Sequence, residues 1–318
     1  MTIRRRLGDL KFELLDRLPY APLRRRAHRL LPRVARLAER LPALPGPVPP
    51  WPPACELHML CGARQSGLGL LAAWSLLRFL PGALLYVHSD GSFGPEEVER
   101  WGRVLAGCRL IARKQADELA AEALGPRYPR LLRWRSGNLY GAQLVDYHLF
   151  GSSPVVLSWD SDVLCFSRPE ELLQGIAGRQ GGLRWNRDLA TCYSQSPQLL
   201  GRILGAEVPA ALNAGLLLVP RLGEEAFAYL ETALRRLEED GRIELDHLWS
   251  AQTYYALWAA RLPGSGPLPP AYDVALGRTR PDAVARHYVN IPSIRPRLLT
   301  EGAARVLAQA GLSLLESP

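Results

Sequence analysis

Lysine is almost missing from this chain: of 39 basic residues only Lys11 and Lys114 are lysines, and the rest are arginines. No GxxxxGK[ST] or GxGxxG segment occurs, so neither a P-loop nucleotide enzyme nor a dinucleotide enzyme is expected. Long apolar runs are missing too. The longest, "GLGLLAAWSLL", has 11 residues, well short of the roughly 20 that span a bilayer. The N-terminus opens on arginines without the apolar core of a signal peptide. Five cysteines, Cys55, Cys61, Cys108, Cys165 and Cys192, show no CxxC spacing, which excludes a disulfide framework or a cysteine zinc site and suits reduced thiols in a cytoplasmic protein. There is no internal repeat.

What is present is ordinary globular material. With 318 residues, 47% hydrophobic and 22% charged, the chain can bury one large α/β domain or two small ones. Its charge is concentrated at one end: residues 1 to 40 hold 12 Lys/Arg against 4 Asp/Glu, and the remainder is neutral. This basic arm reads as short helices broken at Pro19, Pro22 and Pro32. In the last of them Val34, Leu37 and Leu41 share one face and Arg33, Arg36 and Arg40 another. Such a face either solvates while its apolar side docks on the main domain, or meets an anionic membrane surface through residues 1–41. Nucleic acid is not expected, because no aromatic interleaving or binding motif accompanies the arginines. "LPALPGPVPPWPPA" (41–54) reads as a spacer, dividing the chain into 1–54 and 55–318.

Beyond the spacer, strands and helices alternate. "ELHMLC" (56–61), "ALLYVH" (83–88), "RLIAR" (109–113) and the run beginning at Pro154 read as strands. "GLGLLAAWSLLRF", "GPEEVERWGRVL", "QADELAAEAL" and "SGNLYGAQLVDYHLF" (136–150) read as helices between them. The alternation predicts a mostly parallel sheet covered on both faces. Ligands of such sheets sit outside the carboxyl ends of the strands, where "HSDGS" (88–92) and "DSD" (160–162) fall.

Twelve aspartates in the chain make one Asp-x-Asp close to an even chance, so context must decide what the pair means. Side chains alternate along extended backbone, putting Asp160 and Asp162 on one side and Ser161 on the other. Two carboxylates that close repel unless a cation joins them, and oxygen ligands suit Mg²⁺ or Mn²⁺.

The stretch "LSWDSDVLCFSRPEELL" resembles the metal-binding segment of GT-A-fold glycosyltransferases, and three further segments follow those enzymes in order. They are "HSDGS" at the second strand, "LNAGLLLVP" (212–220) and "ARHYVN" (285–290). The nearest likeness is to the family 8-like, glycogenin-related bacterial enzymes. The resemblance implies a GT-A, Rossmann-like domain that moves a sugar from a nucleotide diphosphate, UDP above all, to a glycan, lipid or protein acceptor, with retention in the nearest family. It implies Asp160, Asp162 and His287 as metal ligands, Mn²⁺ being favoured by the imidazole. Asp188 and Asn213 would face the donor sugar. Asp90, Ala214, Gly215 and Gln252 complete the implied donor site.

The pattern departs at four places. Trp159 stands where an aliphatic residue is usual, Gln143 where a lysine is usual, Ala251-Gln252 where an acidic-Gln pair is usual, and only Arg295 and Arg297 follow His287 as diphosphate-gripping cations. A non-catalytic sugar-nucleotide-binding relative is therefore the first alternative. The second is a haloacid dehalogenase-like phosphatase with Asp160 as nucleophile. Those enzymes carry the pair on their first strand and need a later lysine, whereas both lysines here precede it. Asp246 reads as a helix N-cap. His58, His88, His148 and His247 have no implied role.

Overall fold

The structure is a computed structural model and describes residues 19–47, 54–138, 140–178, 182–241 and 250–314. Its strands are β1 (Glu56–Cys61), β2 (Leu84–Ser89), β3 (Arg109–Ile111), β4 (Val155–Trp159), β5 (Val163–Cys165), β6 (Arg184–Arg187), β7 (Leu212–Pro220), β8 (Gly266–Pro267) and β9 (Ala285–His287). The main sheet has the order β3-β2-β1-β4-β7-β6-β8, and β5 pairs with β9 in a small second sheet. Among the described residues only β7 runs against the other strands of the main sheet. The sheet is therefore mostly parallel, as the alternation predicts. β2 and β4 are buried along their whole length, the consequence of helices on both faces.

One apolar core lies on the side of α1 (Ala21–Ala38) and α2 (Ser66–Leu77). A second packs Trp134, Leu230, Tyr254 and Tyr255 together, and a small third joins Leu84, Tyr86, Ile111, Ala116 and Phe150. All five cysteines are free thiols. No helix among the described residues is long and apolar enough to cross a membrane.

Two local expectations differ from what forms. The arm is not broken at Pro32: α1 runs through it from Ala21 to Ala38, with Pro22 in the first turn where a missing N–H costs nothing. Pro32 deletes one helical hydrogen bond, but Ala27, Val34, Leu37 and Ala38 are buried in the core, and that burial outweighs the loss. Leu44 beyond it hydrogen-bonds Val104 (2.8 Å) and Ala106 (3.2 Å).

Residues 136–150 are likewise not one helix. A helix Pro129–Gly137 ends before two single turns, Gly141–Leu144 and Asp146–Leu149. Arg135, 1% exposed, grips the Asp146 carboxylate through two bonds of 2.9 and 2.6 Å. A continuous helix would hold positions eleven apart at about 16 Å, so this buried pair and the helix are mutually exclusive. Gly141 packs where a Cβ would lie 2.6 Å from the Arg135 Cα. Asp246 and His247 lie outside the described residues.

Candidate functional site

The Asp-x-Asp pair sits one step past the carboxyl end of β4, on a tight turn rather than extended backbone. The Val163 amide closes that turn on the Asp160 carbonyl (3.0 Å), and the Asp160 amide donates to the Gly215 carbonyl (2.8 Å). Trp159 explains its own departure from the expected pattern: its indole N–H donates to the Val163 carbonyl (2.9 Å) and pins the far side of the turn, which an aliphatic side chain could not do.

Two pairings then deliver the remaining groups. The antiparallel match of β4 with β7 sets Trp159 opposite Leu216, bringing Asn213 to Gly215 alongside the aspartates. The match of β5 with β9 sets Val163 opposite His287, and the Tyr288 amide donates to the Asp162 carbonyl (3.0 Å). Thus a histidine 125 residues downstream arrives beside the pair.

His287 Nε2 lies 3.0 Å from Asp162 Oδ1 and 3.8 Å from Asp160 Oδ2. Its Nδ1 lies 2.7 Å from Asn213 Oδ1. Asn213 also donates from Nδ2 to Asp188 Oδ2 (2.7 Å), and its Oδ1 accepts from the Gly215 amide (2.9 Å). This carbonyl can only accept, so Nδ1 carries a proton and, in the neutral ring, the Nε2 lone pair faces the carboxylates. Gly215 is required by the same packing, since a Cβ there would fall 2.3 Å from the imidazole Cε1.

Electrostatics divides the two carboxyls. Burial, together with the Asp162 charge, pushes Asp160 up to about 6. Burial would also raise Asp162, but His287 and the Arg295 guanidinium outweigh it and hold it down at about 2. Burial would lower His287, yet the Asp162 and Asp160 carboxylates keep it above its ordinary value. One ligand atom from each of these three residues lies within 4.8 Å of the others. The buried Asp162 Oδ1 receives no aligned hydrogen bond. Two carboxylates and an imidazole whose ligand atoms converge at this spacing fit a divalent cation.

The aspartates open into a cleft of about 600 Å³ lined also by Gly62, Gln65, Asp90, Tyr140, Asn290 and Arg295. Asp90 is exposed and bonded locally to Ser92. Ala214 and Gln252 stand behind the centre: the Ala214 amide donates to Gln252 Oε1 (3.1 Å), whose Nε2 donates to the Cys192 carbonyl (3.0 Å). Asp160, Asp162, Asp188, Asn213, Gly215 and His287 are therefore joined in one hydrogen-bonded cluster, Ala214 and Gln252 flank it, and Asp90 faces the cleft.

Two side chains matter more here than their residue types suggest. Gln143 donates from Nε2 to Asp160 Oδ1 (2.7 Å), and Arg295 forms an ion pair with Asp162 Oδ2. Both stand at departures from the glycosyltransferase pattern, which was the one signal that could have found them. Arg297 instead pairs with Glu301. Tyr140 and Asn290 carried no signal. His58, His88 and His148 are buried structural groups. His58 contacts His88 (3.0 Å), and burial pushes His58 down to about 4. His148 accepts from the Leu222 amide (3.1 Å).

No family model and no curated protein matches the chain. Solved structures do. Mouse xyloside xylosyltransferase 1 in its apo form matches with a TM-score of 0.52 at 14% identity, over 75% of this chain and 98% of that one. An active-site mutant of LgtC matches with a TM-score of 0.50 at 15% identity, over 83% and 97%. The apo bifunctional glycosyltransferase WbbM matches with a TM-score of 0.50 at 13% identity, over 81% of this chain and 51% of that one. At these identities the likeness establishes the fold, which is that of GT-A-type glycosyltransferases.

Proposed function

We propose that this protein is a metal-dependent glycosyltransferase that moves a sugar from a nucleotide diphosphate, UDP-sugars foremost, to an acceptor. The observation that carries the reading is the convergence of Asp160, Asp162 and His287 at the carboxyl end of β4, where the two aspartates line a cleft of about 600 Å³ and the histidine stands behind them. Kinship with the family 8-like enzymes, and with it retention at the anomeric carbon, belongs to the same proposal. So does a cytoplasmic location at the inner membrane face.

In sugar transfer the bond from the anomeric carbon to the diphosphate oxygen breaks while a bond to an acceptor oxygen forms. The leaving diphosphate gains charge. Asp160, Asp162 and His287 would hold a divalent cation, which would supply positive charge against it without proton transfer. At about 4 Å each unit-charge pair is worth about 4 kcal/mol at an effective dielectric near 20, against about 1 in water. Asn213 fixes the imidazole so that Nε2, not Nδ1, faces that charge. Arg295 is the only guanidinium on Asp162 among the described residues, and it is the cation best situated to take up a phosphate oxygen. Gln143 holds Asp160 in place. Asp188, Ala214, Gln252 and Asp90 complete the donor surface in this reading.

The test is to incubate the protein with a panel of UDP-, GDP- and ADP-sugars and Mn²⁺ and to measure release of the nucleoside diphosphate. Hydrolysis or transfer from one donor, abolished by EDTA and by Asp162→Asn, is expected. Release that ignores EDTA would overturn metal dependence. The Arg295–Asp162 ion pair favours one second reading, a sugar-nucleotide-binding relative without catalysis, which binds donor yet releases no diphosphate. The phosphatase alternative has no support: Asp160 follows the fourth strand, and Lys114 is exposed on the helix Arg113–Leu124.

A further inference from the structure

Helix α1 spends its apolar side inside the protein and turns arginine outward. Arg25, Arg26, Arg29, Arg36 and Arg40 are all exposed. The one acid between residues 21 and 40, Glu39, is claimed by Arg100 (2.8 Å). Among the described residues the face is therefore a nearly unopposed strip of positive charge. Its place in the fold is specific. Ala35 sits so close to the first turn of α2 that a Cβ on Gly67 would lie 2.7 Å from the Ala35 Cα. Arg64 and Gln65, immediately before that turn, line the cleft. α1 also packs on Leu298–Gly302, the segment that begins three residues after the cleft-lining Arg295. The helix that carries the strip thus packs on two segments, Ser66–Leu77 and Leu298–Gly302, that lie close in sequence to the cleft-lining residues Gln65 and Arg295.

We infer that this strip holds the protein against an anionic lipid bilayer, so that acceptors reaching the cleft are membrane-borne. The second half rests on the sugar-transfer reading above. Charge complementarity selects the occupant. Residues 21–40 contain no Phe, Trp or Tyr on which nucleic-acid bases could stack. Val34, Leu37 and Ala38 are buried, Leu30 and Leu31 pack against the core, and among the described residues Tyr20 at the N-cap is the single exposed large apolar side chain beside the strip, which is less than the row of apolar anchors that seats a helix in a protein groove. What remains is a rigid row of guanidinium groups, which suits a flat surface of phosphate headgroups. Contact by charge alone, without insertion, must be steeply salt-dependent.

The experiment uses the full chain and a variant with Arg25, Arg26, Arg29, Arg36 and Arg40 all changed to Gln, checked by circular dichroism and thermal melting to share its fold. Both are sedimented with vesicles of phosphatidylcholine alone or with 30% phosphatidylglycerol. Binding of the native chain only to the anionic vesicles, lost at 0.5 M NaCl and weakened on the order of 1,000-fold or more in the variant, is expected. Equal sedimentation of the two proteins, equal binding to neutral vesicles, or displacement from anionic vesicles by an equal charge of duplex DNA would overturn the bilayer contact. Nucleoside diphosphate release is measured in parallel, without vesicles, on both proteins. It should be equal in the two, and its absence from both would overturn the sugar-transfer reading, and with it the membrane-borne acceptor, while leaving the bilayer result to stand.

Discussion

At the residue scale, the centre is a competition between cations for Asp162. Arg295 neutralises Oδ2 while His287 approaches Oδ1. A divalent ion must displace or share both partners. Arg295→Ala should therefore raise Mn²⁺ affinity several-fold in calorimetry and, if the proposed sugar transfer holds, lower affinity for UDP, because the same guanidinium lines the cleft where the diphosphate would lie. If both affinities moved the same way, Arg295 would be a plain structural counter-ion. Asn213→Ala tests the tautomer. It removes the acceptor that holds the proton on Nδ1, and loss of such an orienting partner typically costs about 10- to 100-fold in metal affinity. Unchanged affinity, with the fold intact, would show that the imidazole is held by packing alone.

At the element scale, the same site hangs on strand pairing that a sequence shows only in part. β1, β2 and β4 were legible because each is a short apolar run bounded by turn residues, and their alternation with helices fixed the class of sheet. The aspartates and the late histidine were legible through residue type and order. The single turns at 141–144 and 146–149 were not, since Arg135 and Asp146 determine them through a buried ion pair that no periodicity reports. Gln143 reaches Asp160 only because of those turns. A second buried pair makes the element scale testable. Glu56, at the start of β1, is wholly buried and bonded to the Ser152 and Ser153 amides (2.8 and 3.1 Å) and to Arg221, just past β7. Burial alone would raise it, but the nearby His58 imidazole (3.7 Å), the bonds from those amides and the Arg221 guanidinium bring it down to about 2. Glu56→Ala leaves the largely buried Arg221 guanidinium uncompensated and should cost about 3–5 kcal/mol in urea unfolding. A loss below about 1 kcal/mol would mean that water enters and solvates Arg221.

At the scale of the whole molecule, the titrating groups of the centre set opposite pH trends with and without metal. Asp160 is raised to about 6 and His287 above its ordinary value in the folded protein, whereas unfolded they titrate near 3.9 and 6.5. The native state therefore binds more protons than the unfolded chain between about pH 4 and the folded values of these two groups. Stability falls with rising pH wherever that holds. In EDTA the melting temperature, so far as these groups decide it, should decline from about pH 5 to pH 8. For His287 the protonated ring stabilises fully below its unfolded value and is lost as pH rises through the folded one. Asp160 adds a cost as its buried carboxyl ionises. Asp162, held at about 2, lies outside the window. Bound metal reverses the trend, because it requires Asp160 ionised and His287 neutral, so its affinity climbs as those protons leave. At 100 times the dissociation constant it adds about 2.7 kcal/mol, roughly 5 °C for a chain of this size. The Mn²⁺-induced rise in melting temperature should accordingly be near zero at pH 5 and largest at pH 8. His287→Ala should flatten the upper part of that curve and leave the part near pH 6 that belongs to Asp160. A shift of equal size at every pH would place the ion elsewhere than on Asp160, Asp162 and His287.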